Sequence, residues 1–297
     1  MLLARQRGSP RTRRVSRWLV LVALLSGCSV SGPSSTERFQ YPLGVGNRWE
    51  YEREFWMSEI EPVKRTSDWP PWVSTSHVEV WIEREVVLRE TVLAAQMYET
   101  ITDDVGTYES GHFYAHGHDG TYMHAYIPGS SAAAPKPAVG SEFWFGGARV
   151  SGLTDILRLA QGEALLADSL RETILYDEPL LAFPRPMRVG DQWTIRDSDE
   201  YWRVDKRVAG FEKVEVPAGT FYCYVVEWLI DFDDDGEWDE DSRFTDYVSR
   251  LGLIRRDRWA ELIAMSAEGE TLGVFETGEV SELTSLGVSL GPVGQAN

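Results

Sequence analysis

The densest chemistry in this chain lies in eleven residues. Asp231-Phe232-Asp233-Asp234-Asp235-Gly236-Glu237-Trp238-Asp239-Glu240-Asp241 carries eight carboxylates and no basic side chain. Its opening has the D-x-D-x-D-G spacing of a calcium loop, in which hard oxygen ligands at alternate positions surround the ion and a glycine permits the turn. Asp231, Asp233 and Asp235 take the alternate positions, Gly236 takes the glycine position, and Asp239 and Asp241 add further oxygens. The closing position falls on Ser242, where a bidentate glutamate is wanted, and the flanks read as strands. Two expectations follow: an exposed Ca2+ site of modest affinity, or a hairpin tip kept in water by its charge.

Histidine forms the second cluster. Four of the five lie between His112 and His124. Strand parity puts His112, His116 and His118 on one face. Asp119-Gly120 reads as a two-residue turn, which sets Thr121 opposite His118 and Met123 opposite His116 and points His124 to the other face. Three imidazoles on one face suit zinc or copper, and hairpin surfaces carry the same pattern without metal. Trp56, Trp69, Trp72 and Trp81 either line a glycan or lipid groove or stack in the sheet. Gly-x-Ser-x-Gly, His-Glu-x-x-His, Walker and G-x-G-x-x-G motifs are missing. No pair stands out among the 47 acidic residues for glycoside chemistry. Cys223 sits in an alternating apolar run and is expected in the core.

The first 28 residues give an address. Six arginines precede an apolar run from Trp18 to Leu25. At about 1.5 Å per residue that run spans roughly 12 Å, far short of the roughly 30 Å hydrocarbon core, so it reads as a signal-peptide core over residues 1–27. Leu25-Ser26-Gly27-Cys28 resembles the lipobox of bacterial lipoproteins. The resemblance implies a diacylated, palmitate-bearing Cys28 as the first mature residue and a lipid anchor in the envelope. Ser29 behind it is compatible with an outer membrane, the domain facing the periplasm or the cell surface. Residues 28–38 read as anchor and flexible tether.

Processing sharpens the charge. The whole chain has 29 basic and 47 acidic residues, a net of −18. Removing six arginines and no acid leaves 23 against 47, a net of −24. Such a surface is repelled by nucleic acid and by anionic lipid, so membrane adhesion falls to the acyl chains, at about 0.8 kcal/mol per buried CH2.

These residues must be positioned by strands. Period-two alternation runs through 78–82, 92–102, 108–116, 121–127, 172–182, 200–209, 221–226, 244–256 and 271–280, which predicts an antiparallel sheet. One stretch has helical spacing: Leu153, Ile156, Leu157, Ala160 and Ala164 predict a helix near 152–168. Gly129 to Pro137 reads as a loop, and 285–297 as a frayed tail. Pro42-Leu43-Gly44-Val45-Gly46-Asn47-Arg48-Trp49-Glu50-Tyr51 aligns without gaps on Pro186-Met187-Arg188-Val189-Gly190-Asp191-Gln192-Trp193-Thr194-Ile195. This internal repeat predicts a single β domain over 39–284 with two similar halves, about 41–182 and 183–284.

Together with Val214-Glu215-Val216-Pro217-Ala218-Gly219-Thr220-Phe221 and Tyr247-Val248-Ser249-Arg250-Leu251-Gly252-Leu253-Ile254, read as a strand with a glycine kink, the repeat resembles a group of uncharacterised bacterial secreted proteins described as DUF3108-like or TapB-like. The chain departs from the group at Ser249-Arg250-Leu251, where a Pro-Gly pair is usual. The resemblance implies a curved antiparallel sheet or open half-barrel and supplies no catalytic residues. The expected function is a non-enzymatic binding or structural role, holding an apolar ligand or an envelope partner in the sheet's concavity. The alternatives are a calcium-dependent adhesion or assembly module and an envelope hydrolase whose site the sequence hides.

Overall fold

The computed structural model describes residues 39–62, 71–104, 106–129, 140–163, 172–197, 202–232 and 235–289. The segments expected to be signal peptide and tether, with Cys28, and also Trp69, most of the 129–137 loop, residues 164–168, Asp233 and the last eight residues lie outside them.

The described chain is mainly β, as its alternation predicts. The strands are β1 (Arg48–Pro62), β2 (Trp72–Leu88), β3 (Val92–Thr102), β4 (Thr107–His116), β5 (Gly120–Ile127), β6 (Glu142–Phe145) and β7 (Ala148–Val150). The helix α1 (Leu153–Ala160) follows, then β8 (Ile174–Pro184), β9 (Gln192–Arg196), β10 (Arg203–Val216), β11 (Gly219–Asp231), β12 (Ser242–Ser249), β13 (Gly252–Met265) and β14 (Thr271–Gly287). The sheet order is β8-β5-β4-β3-β2-β1-β14-β13-β12-β11-β10-β9, with β6 on β13 and β7 on β6. The chain thus starts in the middle of the sheet, meanders to one edge and returns from the other, until β14 closes on β1. Curling brings the edges β8 and β9 together as a nearly closed barrel with an unsealed seam. There the Trp193 indole N–H donates to the carbonyl of Leu181 at 2.9 Å. Closure of this kind removes most of the exposed edge that invites another chain to pair.

The two Val-Gly-Asn/Asp segments make the same turn. Gly46 N–H donates to Ile82 O and Ile82 N–H returns to Asn47 O; Gly190 and Asp191 repeat both bonds with Val208. Gly46 has φ +88° and Gly190 +93°, a region where a side chain is strained. Behind these turns Trp49 is fully buried and Trp193 half-buried.

Four sequence expectations need correction. The helix ends at Ala160, because Gly162 (φ +74°) closes it: Gly162 N–H bonds Leu159 O and Glu163 N–H bonds Arg158 O, a Schellman cap. Leu153, Ile156 and Ala160 still pack into the core as the spacing predicts. The stretch 244–256 is two strands, since Gly252 (φ +111°) sits at the turn of the β12–β13 hairpin, with the ring of Trp49 against it. The tail is ordered as far as Gly287, because Ser285, Leu286 and Gly287 pair with Glu50, Trp49 and Arg48. The β4–β5 turn is Gly117-His118-Asp119-Gly120, with Gly117 N–H on Gly120 O, so His118 belongs to the turn and His116 lies opposite Thr121.

Candidate functional site: the charged barrel interior

Inward-facing positions of a barrel strand are normally apolar. Five strands here break that rule in phase, and β11 adds the Trp228 indole beside them. Arg256 and Arg258 alternate with the outward set in step with Ile254, Ala260 and Leu262; Glu279 stands in the phase of Phe275 and Leu283; and Arg53 in that of Tyr51 and Phe55. Asp246 shares the phase of Phe244 and Val248, Lys206 that of Val204 and Val208, and Trp228 that of Val226 and Ile230.

These side chains form two linked ion groups. Asp246 accepts from Arg256 Nε at 2.5 Å and Nη2 at 3.1 Å, and from the Trp228 indole N–H at 3.1 Å. Lys206 Nζ lies 3.9 Å above the Trp228 ring and 5.5 Å from that of Phe183. Next along β13, Arg258 Nη2 reaches Glu279 Oε1 at 3.1 Å, while Arg53 approaches the other Glu279 oxygen at 3.6 Å and donates through Nε to Ser76 Oγ at 2.7 Å. Burial pushes the Glu279 and Asp246 carboxyls up, but the facing guanidinium groups outweigh it and hold both below the usual carboxylate range. Burial lowers the Lys206 ammonium to about 8, so it is still mostly charged at neutral pH.

Lys206, Trp228, Asp246, Arg256 and Arg258 line one cavity of about 120 Å³. Its apolar wall includes Tyr41, Tyr51, Met97 and Phe183, and α1 closes it with Leu157 and Arg158. The Schellman cap of α1 delivers Glu163 to the same cavity. Glu163 Oε1 lies 2.9 Å from His112 Nε2, and its other oxygen accepts from Arg158 Nε at 3.3 Å.

The His112–Glu163 pair gives stability a pH dependence. Burial alone would lower the imidazole's pKa, yet the charge and hydrogen bond of Glu163 raise it above the ordinary value. A raised folded-state pKa stabilises fully below the unfolded value of about 6.5 and is lost as pH climbs through the folded value. Urea midpoints are therefore expected to fall over that window in the native protein. In His112→Gln the fall should be absent; a variant with the same slope would contradict the assignment.

The residues marked out in the sequence are placed elsewhere or separated. His112 is bound to Glu163, His116 Nδ1 lies 3.1 Å from Thr121 Oγ1, and His118 is in the turn. Among the described residues no three His, Cys, Asp or Glu side chains converge as a metal-ligand group. In the acidic loop, Asp231 is buried and its Oδ2 accepts from Gly236 N–H at 3.0 Å. Asp235 accepts from Glu237 N–H and Asp239 from Phe232 N–H, and Asp241 is exposed. Among the described residues Trp56, Trp72 and Trp81 form no common groove: Trp56 covers Gly278, Trp72 packs edge-on to Phe55, and Trp81 stacks on Tyr98. Cys223 is buried in the hydrophobic cluster that includes Trp49, and burial pushes its thiol up to about 12.

No family model and no curated protein matches the chain, so the DUF3108-like or TapB-like resemblance rests on its three sequence elements alone. Two solved structures align with it at low similarity. One is an exported protein with a YmcC-like fold from Bacteroides fragilis NCTC 9343, 12% identical over 84% of this chain and 99% of that one, with a TM-score of 0.36. The other is a lipoprotein from Parabacteroides distasonis ATCC 8503, 11% identical over 84% of this chain and 98% of that one, with a TM-score of 0.32.

Proposed function

We propose that this chain is a lipid-anchored protein of the bacterial cell envelope whose barrel interior binds a small organic anion and performs no chemistry on it. Anchoring rests on Leu25-Ser26-Gly27-Cys28, with Cys28 acylated and Ser29 sending the protein to an outer membrane. Binding rests on one observation. Arg258 is 7% exposed and lines the cavity, yet its Nε and Nη1 are buried without a hydrogen-bond partner. Unpaired N–H groups on a buried cation are costly, and an oxyanion is the complementary partner.

Charge and size narrow the ligand. The cavity is lined by Arg158, Lys206, Arg256 and Arg258 against Glu99, Glu109, Glu163 and Asp246, so its charges balance, and it is the two unpaired N–H groups of Arg258 that call for an anion. A cavity of about 120 Å³ is somewhat smaller than the roughly 150 Å³ that accommodates benzene in an engineered protein. That favours a short-chain carboxylate, with its chain against Met97 and Phe183, over a lipid acyl chain. Binding is favoured over hydrolysis because the facing guanidinium groups hold Asp246 and Glu279 ionised, which removes both as proton donors.

The test is native mass spectrometry of the detergent-solubilised protein taken from its own membrane. The expected result is a small organic-acid adduct that is absent from Lys206→Met. Asp246 keeps its two Arg256 hydrogen bonds and the Trp228 indole N–H when Lys206 is replaced, so the variant should fold. An adduct that survives the substitution would reject this site.

A further inference from the structure

Lys206 is the poorest-matched charge of the interior. It is 5% exposed and leaves β10 in the inward phase of Val204 and Val208, on the wall of the cavity. Its ammonium meets ring faces, 3.9 Å from Trp228 and 5.5 Å from Phe183, and among the described residues no oxygen accepts a hydrogen bond from it. Asp246 faces it, but both of that carboxylate's oxygens are already held, by Arg256 and by the Trp228 indole N–H. Ring faces offset only part of the desolvation of a buried ammonium. Burial accordingly lowers Lys206 to about 8, with Asp246 opposing that shift and Arg256 adding to it.

A carboxylate in the cavity changes this balance, an argument that rests on the anion-binding reading above. The unpaired Nε and Nη1 of Arg258 line the same space of about 120 Å³, so an anion seated on them stands within a few ångströms of Lys206, where an opposite charge favours the ammonium. We infer that the interior takes up its anion together with a proton: the proton passes from solvent to Lys206 Nζ, no bond of the ligand breaks, and the site holds its ligand in neutral surroundings and releases it in alkaline ones.

Other charged groups face the same cavity. Asp246 stands on β12, Arg256 and Arg258 on β13, Glu99 on β3, Glu109 on β4 and Arg158 on α1. His112 and Glu163 face it from β4 and from behind α1. Burial lowers the His112 imidazole, but Glu163 raises it by more, so a bare count of protons would mix His112 with Lys206. Burial pushes the Tyr41 phenol up to about 12 and holds Tyr51, Tyr108 and Tyr114 above the ordinary phenol value. These four therefore stay neutral where Lys206 titrates.

The test reads Lys206 itself. The chain has four lysines, so NMR of the full detergent-solubilised protein carrying [ε-13C]lysine resolves them, and the Lys206 signal is the one missing from Lys206→Met, or from Lys206→Arg should the first variant not fold. Its midpoint is expected near 8 without ligand and about one pH unit or more higher in saturating butyrate, the linked counterpart of an at least tenfold coupling. Calorimetry on the native protein should show butyrate affinity falling roughly five- to tenfold from pH 7 to pH 9. Butyrate that binds while Lys206 titrates at the same pH with and without it overturns the coupling and leaves the anion site standing. So does a ligand-free midpoint at the ordinary lysine value of about 10.4. Absence of butyrate heat in the folded protein removes the anion site, and the coupling with it.

Discussion

Glu279→Gln should destabilise the protein by about 3–5 kcal/mol, the usual result of removing one partner from a buried ion group. Glu279 is 1% exposed and stands between Arg53 and Arg258, each of them 6–7% exposed. The amide retains hydrogen-bonding capacity but leaves two guanidinium groups buried with no counter-charge between them. For a chain of this size the loss corresponds to roughly 6–20 °C in melting midpoint. The effect carries an internal check in pH. A carboxylate whose folded pKa is depressed stabilises fully above its unfolded value of about 4.3 and loses that contribution as pH falls through the folded value. The gap between native protein and variant is thus expected to be widest near neutrality and to shrink in acid. A gap under 1 kcal/mol at pH 7, measured by urea unfolding, would mean that the network contributes little.

Trp49→Ala should cost a similar 3–5 kcal/mol, for a different reason. Trp49 is fully buried, its indole N–H donates to Leu251 O at 2.6 Å, and its ring fills the space beside Gly252, where an added Cβ would come within 2.7 Å of Nε1. Truncation opens a cavity and orphans the Leu251 carbonyl, a loss of about 1–3 kcal/mol in itself. Trp49→Phe restores most of the volume without the hydrogen bond and is expected to recover about half the loss. Trp193, at the matching place in the second Val-Gly-x-x-Trp segment, is half-buried at the seam and bonds Leu181 O, so Trp193→Ala should cost clearly less. Equal losses at the two positions would show that burial does not govern them.

The contrast between the two tryptophans shows where sequence reading reaches its limit. Alternation marks strands because side-chain direction is local, and the Pro-Ala-Gly turn at 217–219 and the helical face of Leu153, Ile156 and Ala160 were legible for that reason. The end of α1 was not, since the left-handed Gly162 overrides an apolar spacing that continues to Ala164. The β4–β5 register slipped because Gly117, rather than Asp119-Gly120, sets the turn. For the interior site a signal was present: Arg256 and Arg258 sit in the inward phase of Ile254 and Ala260, where charge is costly unless paired. Their partners, Asp246 and Glu279, come from other strands, and sheet order is a tertiary fact that spacing along one strand does not contain. The acidic loop drew attention by composition, yet the buried, half-satisfied oxygen of Asp231 emerges only once the hairpin is folded.

A calorimetric titration of butyrate into the detergent-solubilised protein and into Lys206→Met tests the central claim most directly. One saturable site per native chain is expected, with affinity at least tenfold weaker in the variant, the effect of losing one charged hydrogen bond worth about 1.5–3 kcal/mol, and with the variant keeping a cooperative melting transition. Absence of butyrate heat in the folded native protein, or the same affinity in Lys206→Met, would contradict it.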